Sequence, residues 1–96
     1  MQDTKDFQVM NFPNTDFKEN DIKPSNYLIE MVDSKVFVIH REITRSELPD
    51  YENDRTFLFQ NKYYLSCIKH TPSLSEAEKV VQRYWEAMKQ LNRMKK

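Results

Sequence analysis

Residues 73–91 read Ser-Leu-Ser-Glu-Ala-Glu-Lys-Val-Val-Gln-Arg-Tyr-Trp-Glu-Ala-Met-Lys-Gln-Leu, and this stretch decides the fold. Ser73-Leu74-Ser75-Glu76 is a capping-box pattern, and Pro72 ahead of it stops any preceding strand. Ala77, Val80, Val81, Tyr84, Met88 and Leu91 then recur at spacings of three and four, one continuous apolar stripe on a helix. Trp85 borders that stripe, and Lys79, Gln82, Arg83, Glu86, Lys89 and Arg93 lie opposite it. Glu76 and Glu78 at the start, with Lys95 and Lys96 at the end, suit the helix dipole. The spacing predicts a long helix over 73–95.

What the stripe packs on lies upstream. Two runs, residues 27–32 and 35–42, are rich in β-branched and aromatic residues and flank Asp33-Ser34. With Asp33-Ser34 as a two-residue loop, Val32 opposes Lys35, Ile29 opposes Val38 and Tyr27 opposes His40. Ile29, Met31, Val36 and Val38 then share a face. A second hairpin is expected from residues 55–60 and 63–68 around Asn61-Lys62, since Asn tolerates the left-handed conformation of a primed turn. It sets Phe57, Phe59, Tyr64, Ser66 and Ile68 on one face and Leu58, Tyr63, Leu65 and Cys67 on the other. Residues 45–54, acidic and interrupted by Pro49, read as a loop. Residues 1–24 read as an N-terminal arm with a short strand around Phe7 to Phe12. The expected fold is α+β: a four-stranded antiparallel sheet of two hairpins (26–68) with one long C-terminal helix on one face, forming a domain over 25–96.

Alternation along these strands is weak, so both sheet faces read as partly apolar. One helix covers one face. The other needs the arm, a second subunit or another partner, because monomers seldom leave such a patch open.

Composition narrows the chemistry. The chain has 96 residues and no glycine, where an average composition of about 7 % would give roughly seven. That removes the Walker A loop, the Rossmann fingerprint, the G-x-S-x-G elbow and the usual EF-hand loop. It equally removes the KH clamp and the RRM signature. The longest apolar run, Val36-Phe37-Val38-Ile39, is too short to span a bilayer, so no membrane partner is expected. The N-terminus lacks the basic-then-apolar order of a signal peptide, and a single Cys cannot form an intrachain disulfide. Both point to the cytoplasm.

Cys67-Ile68-Lys69-His70 supplies at most half of a zinc site, and no second pair completes it, so no metal or cofactor is expected. A Cys–His nucleophilic pair has no recognisable signature and no glycine to bring backbone N–H groups close as an oxyanion hole, so no catalytic residue is assigned. Net charge is zero, yet residues 1–22 carry two basic and five acidic groups and residues 61–96 eight and three. Acidic Glu47, Asp50, Glu52 and Asp54, with the aromatics Phe57, Phe59, Tyr64 and Trp85, are the candidates for a protein interface. Trp85 qualifies only if exposed. The expectation is a small non-catalytic interaction or regulatory protein, in one version a homodimer, in another an inhibitor carried by a phage or mobile element. The rival expectation is a nucleic-acid-binding module using Lys62, Tyr63, Lys79, Arg83, Lys89 and Arg93.

Overall fold

The computed structural model describes residues 7–94 and is α+β. Its strands are β1 (Phe7–Met10), β2 (Tyr27–Asp33), β3 (Val36–Ile43), β4 (Thr56–Phe59) and β5 (Lys62–Thr71), followed by helix α1 (Leu74–Met94). The strands form one antiparallel sheet in the order β1-β2-β3-β5-β4. The sheet thus has five strands among the described residues, not four. The short strand read within the arm pairs with β2, Phe7 opposite Glu30 and Met10 opposite Tyr27, and makes the arm an edge of the sheet.

Helix α1 begins where Ser73 predicts it. The Ser73 hydroxyl accepts the Glu76 N–H at 3.2 Å, satisfying one of the orphan donors of the first turn. Its stripe meets one sheet face. Ala77, Val80, Val81 and Trp85 are buried against Tyr27, Ile29, Phe37 and Ile39, and Met10, Phe12, Ile68 and Tyr84 close the margin. Each large side chain so buried contributes about 1.5–3 kcal/mol, which makes this layer the main source of stability.

The first hairpin differs from expectation by one residue. Ser34 and Lys35 form its turn, and Val32 is an extra residue on β2, so that Ile29 faces Ile39 and Met31 faces Phe37. Neither turn residue has positive φ, so the turn is not of the primed kind that matches strand twist, and the bulge takes up the mismatch. A one-residue slip exchanges the two faces of a strand. Phe37 and Ile39 therefore join Ile29 under the helix, where Val36 and Val38 were expected.

The second hairpin slips by two and keeps its faces. Gln60 (φ 51°) and Asn61 (φ 66°) form the turn instead of Asn61-Lys62, and Phe57 pairs with Tyr64 and Phe59 with Lys62. Beyond Leu65 the pairing of β5 with β3 jumps to Lys69 opposite Ile39, leaving residues 66–68 against His40 alone. This bulge sends Ile68 to the helix side, away from Tyr64. The expected loop at 45–54 is also more ordered than its composition suggested. It holds a short 3-10 helix, Arg45–Tyr51, whose start is tied by the Glu47 carboxylate accepting the Thr44 N–H at 2.7 Å. Thr44-x-x-Glu47 is itself a capping-box spacing, a signal the sequence carried.

In the left-handed region Gln60 carries a cost that asparagine lowers, and Asn61 a smaller one that glycine removes. Replacing Gln60→Asn together with Asn61→Gly should raise the unfolding free energy by about 1 kcal/mol, read as a higher urea midpoint at unchanged m-value. No gain would mean that the turn is not built on these two residues.

Candidate functional site

The sheet face away from α1 is concave and largely filled by its own side chains. Leu28, His40 and Tyr64 are buried at 0 %, 3 % and 1 % exposure. The His40 ring stands edge-on to Phe57 at 4.9 Å, Phe57 stacks on Tyr64 at 5.7 Å, and Phe59 meets Tyr64 at 6.4 Å. Phe7 of β1 touches Phe59 of β4 at 4.7 Å, although these strands are the two edges of the sheet. Two diagonal corners have curled together. Sheet curvature and Phe7 thus cover the centre of the face that seemed to need a partner, while Val9 and Val36 stay exposed toward its margin.

Within that face His40 Nε2 lies 2.9 Å from Glu30 Oε1. Burial pushes the His40 pKa below its ordinary 6.5, and the bond and charge of Glu30 pull it part of the way back. Burial likewise pushes the Tyr64 phenol up, with the Glu42 carboxylate adding to the shift. The bond satisfies the buried His40 ring, while the Glu30 side chain, 35 % exposed, carries the pair to the surface. Among the described residues no three His, Cys, Asp or Glu side chains converge to hold a metal ion. Cys67 lies in β5 by its backbone, and its side chain falls outside the described residues.

The proposed interface residues separate into two groups. Trp85 is 4 % exposed, with its indole N–H donating to the Ser25 carbonyl at 2.9 Å, and Tyr64 is in the inner face. Phe57 and Phe59 are half-buried in the same aromatic cluster. None of these four forms an open anchor. Glu47 is occupied in capping, whereas Asp50, Glu52 and Asp54 are exposed on the segment that leads into β4. Further along, in β4, Leu58 is 57 % exposed, because α1 packs over β2, β3 and β5. Leu58 was not singled out from the sequence. Nothing in a local pattern says how far sideways a helix will reach.

The basic residues do not assemble into one surface. Lys62 lies 3.6 Å from Glu42, with Tyr63 half-buried next to it. Lys89 bridges Asp16 at 3.6 Å and Glu86 at 3.3 Å. With Arg93 it lines a polar groove of about 300 Å³ whose other walls include Asp16, Lys18 and Asp21. Asn92 grips the same arm, accepting the Ile22 N–H at 2.9 Å and donating to the Ile22 carbonyl at 3.1 Å. Lys79 and Arg83 remain exposed on the helix. The acidic front of the chain is thereby laid against part of its basic tail. Lys95 and Lys96 lie outside the described residues.

No protein-family model, no curated protein and no solved structure matches this chain.

The buried histidine gives a pH dependence of known sign. With its folded pKa lowered, the unfolded chain is the better proton acceptor once pH falls below about 6.5, so this contribution to stability is intact above that pH and is lost on acidification. Urea midpoints measured between about pH 7.5 and 5 should fall for the native sequence and fall less for His40→Gln, which keeps a donor for Glu30 but does not titrate. Equal slopes for the two proteins would show that His40 contributes nothing to the effect.

Proposed function

We propose that this chain is a small non-catalytic protein-binding module of the cytoplasm, acting as a regulator or inhibitor by occupying the surface of a protein partner. The observation that supports this best is the free edge of β4. Among the described residues it is the last strand of the sheet, with one side of its backbone facing no strand neighbour. Leu58 is exposed on it, and neither proline nor a charged side chain within Thr56–Phe59 guards it, as edges usually are guarded. An extended segment added there gains main-chain hydrogen bonds and an apolar contact. Asp50, Glu52 and Asp54 beside it favour a partner of basic character and speed its approach. A reducing compartment suits a chain with one Cys.

The nucleic-acid alternative draws less support, since Lys89 bridges Asp16 and Lys62 lies by Glu42. Affinity capture from the native host tests both. A protein retained by the native sequence should be lost at least tenfold, about 1.4 kcal/mol, with Leu58→Asp. Replacing Asp50, Glu52 and Asp54 by their amides should slow association and flatten its salt dependence. Retention on DNA or RNA that strengthens as salt falls and disappears with Lys79→Gln and Arg83→Gln would replace this reading by the nucleic-acid one.

A further inference from the structure

The pairing of β4 with β5 fixes which of its backbone groups point outward. Gln60-Asn61 is a two-residue turn, so Phe59 and Lys62, which flank it, exchange hydrogen bonds, and bonded pairs then alternate along the ladder. Phe57 with Tyr64 is the next such pair, and the Ser66 N–H bonded to the Arg55 carbonyl at 2.9 Å confirms the phase. Thr56 and Leu58 therefore turn their N–H and C=O groups away from the sheet. Their side chains lie on one face of β4, and those of Phe57 and Phe59 on the other.

The geometry points to a second copy of this chain as the occupant of that edge, the two β4 strands pairing antiparallel about a two-fold axis at Phe57. This rests on the reading of β4 as the binding edge and names its partner. Only three two-fold registers match outward groups with outward groups, centred on residue 56, 57 or 58. A centre at Thr56 sets the Asp54 carboxylate against Leu58 of the second copy. A centre at Leu58 runs Thr56 against Gln60, whose φ of 51° has already left the extended conformation. The centre at Phe57 sets Thr56 against Leu58 twice, with four main-chain hydrogen bonds between the copies. Arg55 then opposes Phe59, a guanidinium beside a ring, and Asp54 opposes neutral Gln60. The two Arg55 side chains stay roughly 14 Å apart at about 3.4 Å per residue, so no like charges stand directly opposite one another. The interface is self-complementary and closes, joining two five-stranded sheets into one and leaving no β4 edge open. So short an edge buries little area, which makes the dimer a weak, concentration-dependent one.

Sedimentation of the full chain over a range from about 10 μM to about 1 mM, the span of weak association, should show dimer growing with concentration. Thr56→Pro deletes only an outward N–H and should leave a folded monomer, as should Thr56→Lys, a milder block. Register is read by oxidation in a chain whose one cysteine, Cys67, is replaced by Ser. A mixture of Thr56→Cys and Leu58→Cys chains should cross-link several-fold more than either alone, because only residue 56 opposes 58. A monomer at about 1 mM, or a dimer that survives both edge variants, overturns the proposal. If the chain stays monomeric while Leu58→Asp still abolishes capture of a host protein, the second copy is wrong and the binding edge stands. If neither dimer nor capture responds to β4, both fall.

Discussion

Three residues of β5 stand opposite a single residue of β3, and much of the molecule follows from that mismatch. Residues 66–68 face His40 alone, and a strand that carries extra residues bends and gains right-handed twist. The smaller bulge at Val32 adds to it on the other side of β3. A five-stranded sheet with this much coil brings opposite corners together, which is how Phe7 reaches Phe59. Flat, the same sheet would present Leu28, His40, Tyr64, Phe57 and Phe59 to water. Curled, it buries them as a second, minor core behind the one under α1. His40 sits at the pivot, its polar edge satisfied by Glu30, so the bend does not strand a buried imidazole.

The second organising element is the segment of residues 22–26, which leads from the arm into β2. It has no regular structure, yet distant parts of the chain bond to it. Trp85 holds the Ser25 carbonyl, Arg41 donates to the Ser25 hydroxyl at 3.3 Å, and Asn92 clamps Ile22. Asn26 accepts the Phe12 N–H and donates to Glu42, which joins the arm to β3. An irregular segment has no ladder to satisfy its backbone groups, and these side chains supply the missing partners. The charge separation along the chain has the same logic. Asp16 and Asp21 come to Lys89 and Arg93 because the arm returns along the end of α1, so the acidic and basic ends neutralise one another.

How much of this was legible in the sequence depended on range. The start of the helix could be read to within a residue, because capping and a 3.6-residue stripe are local; its expected end at 95 lies outside the described residues. The strands could be read as strands for the same reason. Their registers could not. In a chain without glycine no turn announces itself: the turn at Ser34-Lys35 instead of Asp33-Ser34 moved the pairing by two, and the extra residue at Val32 took back one, which exchanged the faces of β3. The second hairpin slipped by two and so kept Phe57, Phe59 and Tyr64 together. The bulge at 66–68 left no mark in composition, and with it went the curl that closes the inner face. Trp85 illustrates the limit: its position on the wheel was border, yet it packs into the core under α1, and the Ser25 carbonyl satisfies its indole N–H there. Leu58 shows the converse, an apolar strand residue exposed because the helix lies elsewhere.

The contacts that fasten the arm join residues far apart in the chain. Trp85 and Ser25 are separated by 60 positions, and Ile22 and Asn92, like Gln8 and Glu78, by 70. Contacts of such separation must meet the entropy of closing nearly the whole chain before they return any energy. On a ribosome, where synthesis runs from the N-terminus, the arm has nothing to grip until the last turns of α1 have emerged. The two hairpins form from neighbours as they appear, but the arm and the helix end lock together last. A truncation of even the final turn, which removes Asn92, therefore acts on a segment 70 positions away, releasing both backbone groups of Ile22.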